Sequence, residues 1–306
     1  MNNPTIGWIG IGRMGYAMAE RLATSGADLT VWNRTRAKAE PLAARGAKIA
    51  ANVSDLAACD VVYVMVSTYD DVKQVILGEG GLLSAKRAPK MVVECSSISM
   101  EGSAELRAAL AGRGVQMLAA PVSGNAKVIK AGRLSFVCSG PREAFDAALP
   151  SLKTIAPAAS YVGEGELARI AKICHNVFLG VVIQSLAEIT VLAQKAGMPR
   201  HTFLEFINSS VMGSVFSRYK SPALVNLDFK VTFTPKLLRK DLDLGLDAGR
   251  DLDVPLPLAS ATRDLVQGLI GRGMDDEDFA KLIVMQAQAS GLELQPENVA
   301  VDDGLS

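Results

Sequence analysis

"TIGWIGIGRMGYAMAERL" (residues 5–22) decides how this chain is read. It begins as a short β-branched run and ends as an Ala-rich amphipathic stretch. Between the two stand Gly10, Ile11, Gly12, Arg13, Met14 and Gly15. A GxGxxG triplet alone is a weak signal. Here it follows a strand, makes a tight turn and opens a helix, whose N-terminal N–H groups and positive dipole end suit a pyrophosphate. A second strand, "LTVW" (29–32), comes next.

The alternation continues to about residue 160, with strand-like runs at 47–50, 61–66, 91–94, 115–118 and 134–138 and crossovers at 14–25, 101–112 and 142–149. Strands alternating with helices predict a parallel sheet. After "YVGEGE" (161–166) strand-like runs nearly vanish, and a helical period runs from about 166 to the stop signal "KAGMP", with Gly197 at the C-cap and Pro199 just beyond. Further helices are expected at 200–209, 235–252, 258–272 and 277–289. The fold class is therefore α/β, a Rossmann-type doubly wound parallel sheet followed by an all-helical C-terminal domain. The expected divisions are 1–164, 165–290 and a polar, loose tail at 291–306.

Composition narrows the function. The 306 residues carry 32 basic and 32 acidic side chains, intermixed, which gives no electrostatic footprint for nucleic acid or an anionic membrane. Residues 177–193 come nearest to a membrane span, but Gln184, Ser185, Glu188 and Thr190 interrupt them. Cys59, Cys95, Cys138 and Cys174 lack metal-ligand spacing and sit in apolar contexts, so buried free thiols in a reducing cytoplasm are expected. With only two histidines, His175 and His201, no metal site is expected and a catalytic proton must move on something else. Apolar residues make up 49% of the chain, and Val177, Val181, Leu186, Ile189 and Val191 surround more of the long helix than one domain face requires. A homodimer or homotetramer is expected.

Two stretches point to ligands. "VWNRT" ends the second strand with Asn33, Arg34 and Thr35 where a site for NAD usually has an acidic residue for the ribose 2′-hydroxyl. A guanidinium there can bind a 2′-phosphate, so the cofactor expected is NADP(H). "APVSG" (120–124) is a turn after a sheet strand, and Ser123 with Gly124 could cradle a carboxylate, although such turns are usually only turns.

Taken with "GEGELARIAKICHN", "LLRKDLDLGL" and "GMDDEDFAKLI", these motifs make the chain resemble the β-hydroxyacid dehydrogenases over nearly its whole length. The family includes 3-hydroxyisobutyrate dehydrogenase, tartronate semialdehyde reductase and glyoxylate/succinic semialdehyde reductases. The resemblance implies an NADP(H)-dependent oxidoreductase acting on a small β-hydroxyacid or the matching semialdehyde or keto acid. It implies dinucleotide contacts from the glycine turn and from Asn33, Arg34 and Thr35, nicotinamide-side contacts from Val66, Ser67 and Ser97, and Lys240 closing over the cofactor. It also implies substrate-carboxylate binding by Ser123 and Gly124, with Lys172 as the catalytic lysine and Asn176 as its neighbour. Lys172 and Asn176, four residues apart on a helix, share one face, whereas His175 is rotated away. Desolvation among Ile170, Ile173 and Phe178 is expected to tune the lysine as general acid and base.

Ala119, Asn125 and His175 depart from the family's usual residues and leave the substrate open. Imine reductases typically replace the lysine, and phosphogluconate dehydrogenases are much longer. Imine reduction and a non-catalytic dinucleotide-binding module remain the alternatives. Arg218, Tyr219 and Lys220 are expected in a solvated loop.

Overall fold

The computed structural model describes residues 4–305; residues 1–3 and 306, at the outer ends of the expected first domain and tail, lie outside the described residues. The first half runs β1 (Ile6–Ile9), α1 (Arg13–Thr24), β2 (Leu29–Trp32), β3 (Lys48–Ile49), β4 (Val61–Val64), α2 (Tyr69–Leu77), β5 (Met91–Glu94) and α3 (Met100–Ala111). It continues with β6 (Gln116–Ala119), β7 (Val122–Ser123), α4 (Ala126–Lys130), β8 (Ser135–Cys138), α5 (Arg142–Ile155) and β9 (Ala158–Tyr161).

Six of these strands form one parallel sheet in the order β3-β2-β1-β4-β5-β6. The central strands β1, β4 and β5 are buried at every position because both faces of the sheet are covered there. Along β4, Val61 and Tyr63 join a core containing Met18 and Leu22 of α1 and Phe145 and Leu152 of α5. Val62 and Val64 point the other way, into a core with Val72 and Ile76 of α2 and Leu106 and Leu110 of α3. The period of two along the strand thus builds two cores, each fully buried Leu, Ile or Val contributing about 1.5–3 kcal/mol. The order reverses between β1 and β4, and a doubly wound sheet binds its ligand at the carboxyl ends of such a pair.

A second sheet, β7-β8-β9, was not expected. β7 pairs antiparallel with β8, and β9 pairs parallel with it. β7 spans two residues and β9 reads "AASY", so neither carries the β-branched run by which strands are recognised.

Helices follow: α6 (Leu167–Lys195), α7 (Arg200–Ser209), α8 (Val215–Asn226), α9 (Pro235–Asp251), α10 (Pro257–Gly271) and α11 (Leu282–Ala289). By its contacts the chain divides into two compact units, Met1–Lys172 and Ile173–Ser306, with the division falling within the α6 sequence. α6 is long and apolar enough by composition to cross a membrane, yet Arg169 and Asn176 are buried along it with protein partners. In the second unit α6 and α9 approach closely because each offers a glycine. A Cβ on Gly245 would lie 2.2 Å from Val177 Cγ2, and one on Gly180 would lie 3.0 Å from Leu242 Cδ2.

Three details differ from the sequence reading. Arg218, Tyr219 and Lys220 lie in α8, not in a solvated loop, and Lys220 is buried with Nζ 2.6 Å from Asp278 Oδ1. Pro222 inside α8 breaks the usual helical signature. Residues 292–301, read as a loose tail, form no helix or strand but pack Leu292, Leu294, Val299 and Val301 on the second unit's own core, built from residues such as Ile183, Leu224, Leu242 and Val266, while Glu297 accepts the Arg200 and His201 backbone N–H groups at 2.7 and 3.0 Å. Cys59, Cys95 and Cys138 are buried free thiols, whereas Cys174 is exposed, one position off the buried stripe of α6.

Candidate active site

The glycine turn is a cradle that side chains would fill. Gly10 has φ +97°, and a Cβ on it would sit 2.1 Å from the Met65 carbonyl oxygen. One on Gly15 would sit 1.9 Å from the Gly10 oxygen, so α1 can begin against the turn only with glycine there. At Gly12 a Cβ would meet nothing within 4 Å, leaving open space above the helix end. Gly12 is the N-cap of α1, and the first turn, with the exposed Arg13 and half-buried Met14, holds no acidic residue to compete with a phosphate. The residues present therefore fit a dinucleotide pyrophosphate.

Asn33 ties this turn to the end of β2. Its Oδ1 accepts Ile11 N–H at 2.8 Å and its Nδ2 donates to Thr35 O at 2.8 Å, so "NRT" is held beside the glycines by its own first residue. The Arg34 side chain is 85% exposed, and its Nη1 lies 3.3 Å from Asp71 Oδ1. Asp71 was not anticipated. It belongs to the first turn of α2, where it also accepts the Thr68 hydroxyl at 2.8 Å.

Val66 and Ser67 follow β4, and Ser97 follows β5. These neighbouring loops are joined: Val66 N–H donates to Ser96 Oγ at 3.0 Å, and Ser96 N–H donates to Glu94 Oε1 at 2.8 Å. Cys95, between Glu94 and Ser96, is buried, and that burial with the negative charge of Glu94 pushes its thiol well above the usual range. Ala120 N–H donates to Glu94 O at 2.7 Å, so the strand leading to Ser123 leaves from the end of β5. Ser123 closes β7. Gly124 follows at φ +137°, and a Cβ there would lie 2.8 Å from Val128 Cγ1. Asn125 caps α4, accepting Lys127 and Val128 N–H at 2.9 and 3.1 Å, which explains asparagine at this family-divergent position.

The head of α6 belongs to the first unit. Arg107 grips it by donating to Glu166 Oε1 at 2.9 Å and to Gly165 O at 2.8 Å, and Ser139 Oγ accepts Ala168 N–H at 3.0 Å. Arg169 is 1% exposed. Its Nη2 pairs with the buried Glu94 carboxylate, its Nη1 donates to Ser96 O at 2.7 Å, and its Nε donates to Ser103 Oγ at 3.0 Å. Lys172 stands three residues further on, half-buried. Of its expected desolvating neighbours, Ile173 is buried but Phe178 is 69% exposed, because six residues along a helix turn the ring to a different side.

In the second unit, the buried Asn176 donates Nδ2 to Asp241 Oδ2 at 2.6 Å. Its Oδ1 accepts His175 Nδ1 at 2.9 Å, so His175, expected to turn away, orients Asn176 instead. Lys240 Nζ lies 3.4 Å from Asp241 Oδ1. The first unit thus gathers the glycine turn, the "NRT" segment and the Val66 and Ser97 loops, and the second gathers Asn176 and Lys240 around Asp241. Arg169, Glu94, Asp71 and Asp241 complete these groups. The one available sequence signal was charge standing in otherwise apolar segments, as for Glu94 ending "MVVE" and Arg169 opening α6.

A doubly wound sheet with this glycine turn, followed by a helical unit, defines an NAD(P)-binding oxidoreductase. Residues 5–163 match the family model described as the NAD binding domain of 6-phosphogluconate dehydrogenase, and residues 166–285 match the NAD-binding region of NADP-dependent 3-hydroxyisobutyrate dehydrogenase. The chain belongs to the β-hydroxyacid dehydrogenase family. A 2-(hydroxymethyl)glutarate dehydrogenase from Eubacterium barkeri is 31% identical over 291 residues, 94% of this chain and 97% of that one. The crystal structure of a 3-hydroxyisobutyrate dehydrogenase from Salmonella typhimurium matches with TM-score 0.84 at 27% identity, covering 92% of this chain and all 100% of that one. A structure titled Psf3 in complex with NADP+ and 2-OPP matches with TM-score 0.83 at 26% identity, covering 92% and 99%.

Proposed function

We propose that this chain is a cytoplasmic NADP(H)-dependent oxidoreductase that interconverts a small β-hydroxyacid and the corresponding semialdehyde or keto acid, with Lys172 as general acid and base. The observation that carries the reading is the bonding of the head of α6, through Arg169, to Glu94 and Ser96 beside the Val66 and Ser97 loops. Lys172, half-buried, stands three residues along the helix from this anchor, which supports the reading.

When bound, the dinucleotide supplies hydride to the carbonyl carbon, or accepts it from the carbinol carbon in the reverse direction. Gly10, Gly12, Arg13, Met14 and Gly15 hold its pyrophosphate, and Asn33, Arg34 and Thr35 hold its adenosine ribose with the 2′-phosphate. Val66, Ser67 and Ser97 line its nicotinamide half, and Lys240 closes over it. Lys172 Nζ gives a proton to the carbonyl oxygen as the alcohol forms and takes it back in oxidation. Ser123 and the backbone at Gly124 hold the substrate carboxylate. Asn176, kept in one orientation by Asp241 and His175, holds the reacting oxygen without adding charge. The exposed apolar side chains Phe178 and Leu192 on α6, each 69% exposed, favour a homodimer or homotetramer.

A panel of short aldehyde acids and keto acids, assayed with NADPH and NADH, tests the reading. Turnover of at least one carboxylate substrate with NADPH preferred is expected. Turnover confined to cyclic imines would replace it with imine reduction.

A further inference from the structure

The ion pair between Arg169 and Glu94 is the most deeply buried on the catalytic side of the first unit, with the two side chains 1% and 0% exposed. Buried pairs are weak stabilisers, since apolar residues of similar volume often replace them at no cost. A pair that adds little stability can still act through direction, and its hydrogen bonds are directional. A single guanidinium from α6 contacts the last residue of β5, the Ser96 carbonyl in the following loop, and Ser103 in the first turns of α3. The second Glu94 oxygen holds Ser96 N–H, and the Ser96 hydroxyl holds Val66 N–H. An unbroken chain of hydrogen bonds therefore runs from the residue three positions before Lys172 to the loop after β4. Residues three apart on a helix are neighbours, so any turn or slide of α6 felt at Arg169 moves Lys172 as well.

We infer that Arg169 and Glu94 are positioning residues for the reaction: together they fix the head of α6, and so Lys172, against the two loops that line the nicotinamide half. This rests on the proposed role of Lys172. Arg107 with Glu166, and Ser139 with Ala168, tie the same helix end through separate contacts. What the pair adds is register between helix and loops. A misplacement of about 1 Å in a reacting group can lower turnover by about 10²-fold.

The decisive variant is the apolar double substitution Arg169→Met/Glu94→Leu, with Arg169→Lys as the conservative partner. If the pair positions Lys172, the double variant keeps a wild-type or higher melting temperature and a near-wild-type NADPH dissociation constant, while kcat falls by about 10–100-fold. In cofactor-free protein, amide exchange should quicken at residues 65–67 and 95–98 and at 168–172, but not in β8. Arg169→Lys, which keeps the charge without the fork, should recover part of kcat. A double variant that is stable and fully active would overturn the inference, as would activity lost only in proportion to melting. If the wild-type enzyme turns over nothing on the substrate panel, the functional reading fails alone. The exchange measurement then still decides the coupling, and unchanged exchange at the loops would overturn it.

Discussion

Arg34 gives the sharpest test of cofactor choice, because its resting partner sets the size of the effect. In the structure its guanidinium lies 3.3 Å from Asp71, with side-chain exposures of 85% and 29%. An ion pair so open to solvent is worth about 0–1 kcal/mol. A 2′-phosphate, with its larger charge and matching geometry, forms charge-assisted hydrogen bonds worth about 1.5–3 kcal/mol. Releasing Asp71 offsets part of that, which leaves about 1–2 kcal/mol in favour of NADPH, or roughly 5–30-fold. Arg34→Ala should raise the NADPH dissociation constant by about that factor and leave NADH nearly unchanged. Asp71→Asn should act oppositely, tightening NADPH by up to about fivefold, because it removes both the competitor and a repelling carboxylate. Fluorescence titration of each nucleotide against each variant measures all four constants. Equal weakening of NADPH and NADH by Arg34→Ala would refute the reasoning, since only the 2′-phosphate distinguishes the two.

Other outcomes follow from the same geometry. Lys172→Met should keep fold and NADPH affinity and lower turnover by about 10²–10⁴-fold; a near-wild-type rate on the best substrate would show that the proton travels elsewhere. Ser123→Ala should raise KM for an aldehyde acid without changing NADPH binding, and equal activity on the acid and its neutral amide would exclude a carboxylate cradle. Burial alone would raise the Asp278 carboxyl, but Lys220 and hydrogen bonds from Ala280 and Thr232 outweigh it and hold it below the usual range. A depressed carboxyl adds stability that is complete above its unfolded value of about 3.9 and is lost as pH falls through the lower folded value. The urea midpoints of wild type and Asp278→Asn should therefore differ most above about pH 4 and converge below it; a pH-independent gap would contradict this. Sedimentation at micromolar concentration should give a dimer or tetramer, and a monomer would exclude the assembly reading.

Much of the fold was legible because its signals are local. Alternation along "VVYV" sends Tyr63 to one core and Val62 to the other, and Gly10 must be glycine because its own backbone turn forbids a side chain. Where the signal is not local, reading failed. β7 is too short to alternate, and α8 hides behind Pro222. The buried cations were hidden for a related reason. Arg169 meets Glu94 from 75 residues away, and Lys220 meets Asp278 from 58. No spacing rule reports a pair at such a separation, and each charge read singly belongs on a surface.

That division has a physical consequence for the site. The glycine turn was legible because its backbone leaves no room for side chains at Gly10 and Gly15, and the other residues assigned to cofactor and substrate came largely from the family resemblance. The groups that hold them still, Asp241 and His175 on Asn176, Asn33 on the glycine turn and Arg169 with Glu94 on the head of α6, act through contacts that only folding creates. If the buried pair positions the helix as inferred, a variant of this chain that keeps Lys172 and Asn176 but alters the pair will still differ in rate. On the proposed function, substrate choice in this chain is better sought in Ser123, Asn125 and the partners that orient Asn176 than in Lys172, whose proposed proton transfer would be the same for any hydroxyacid.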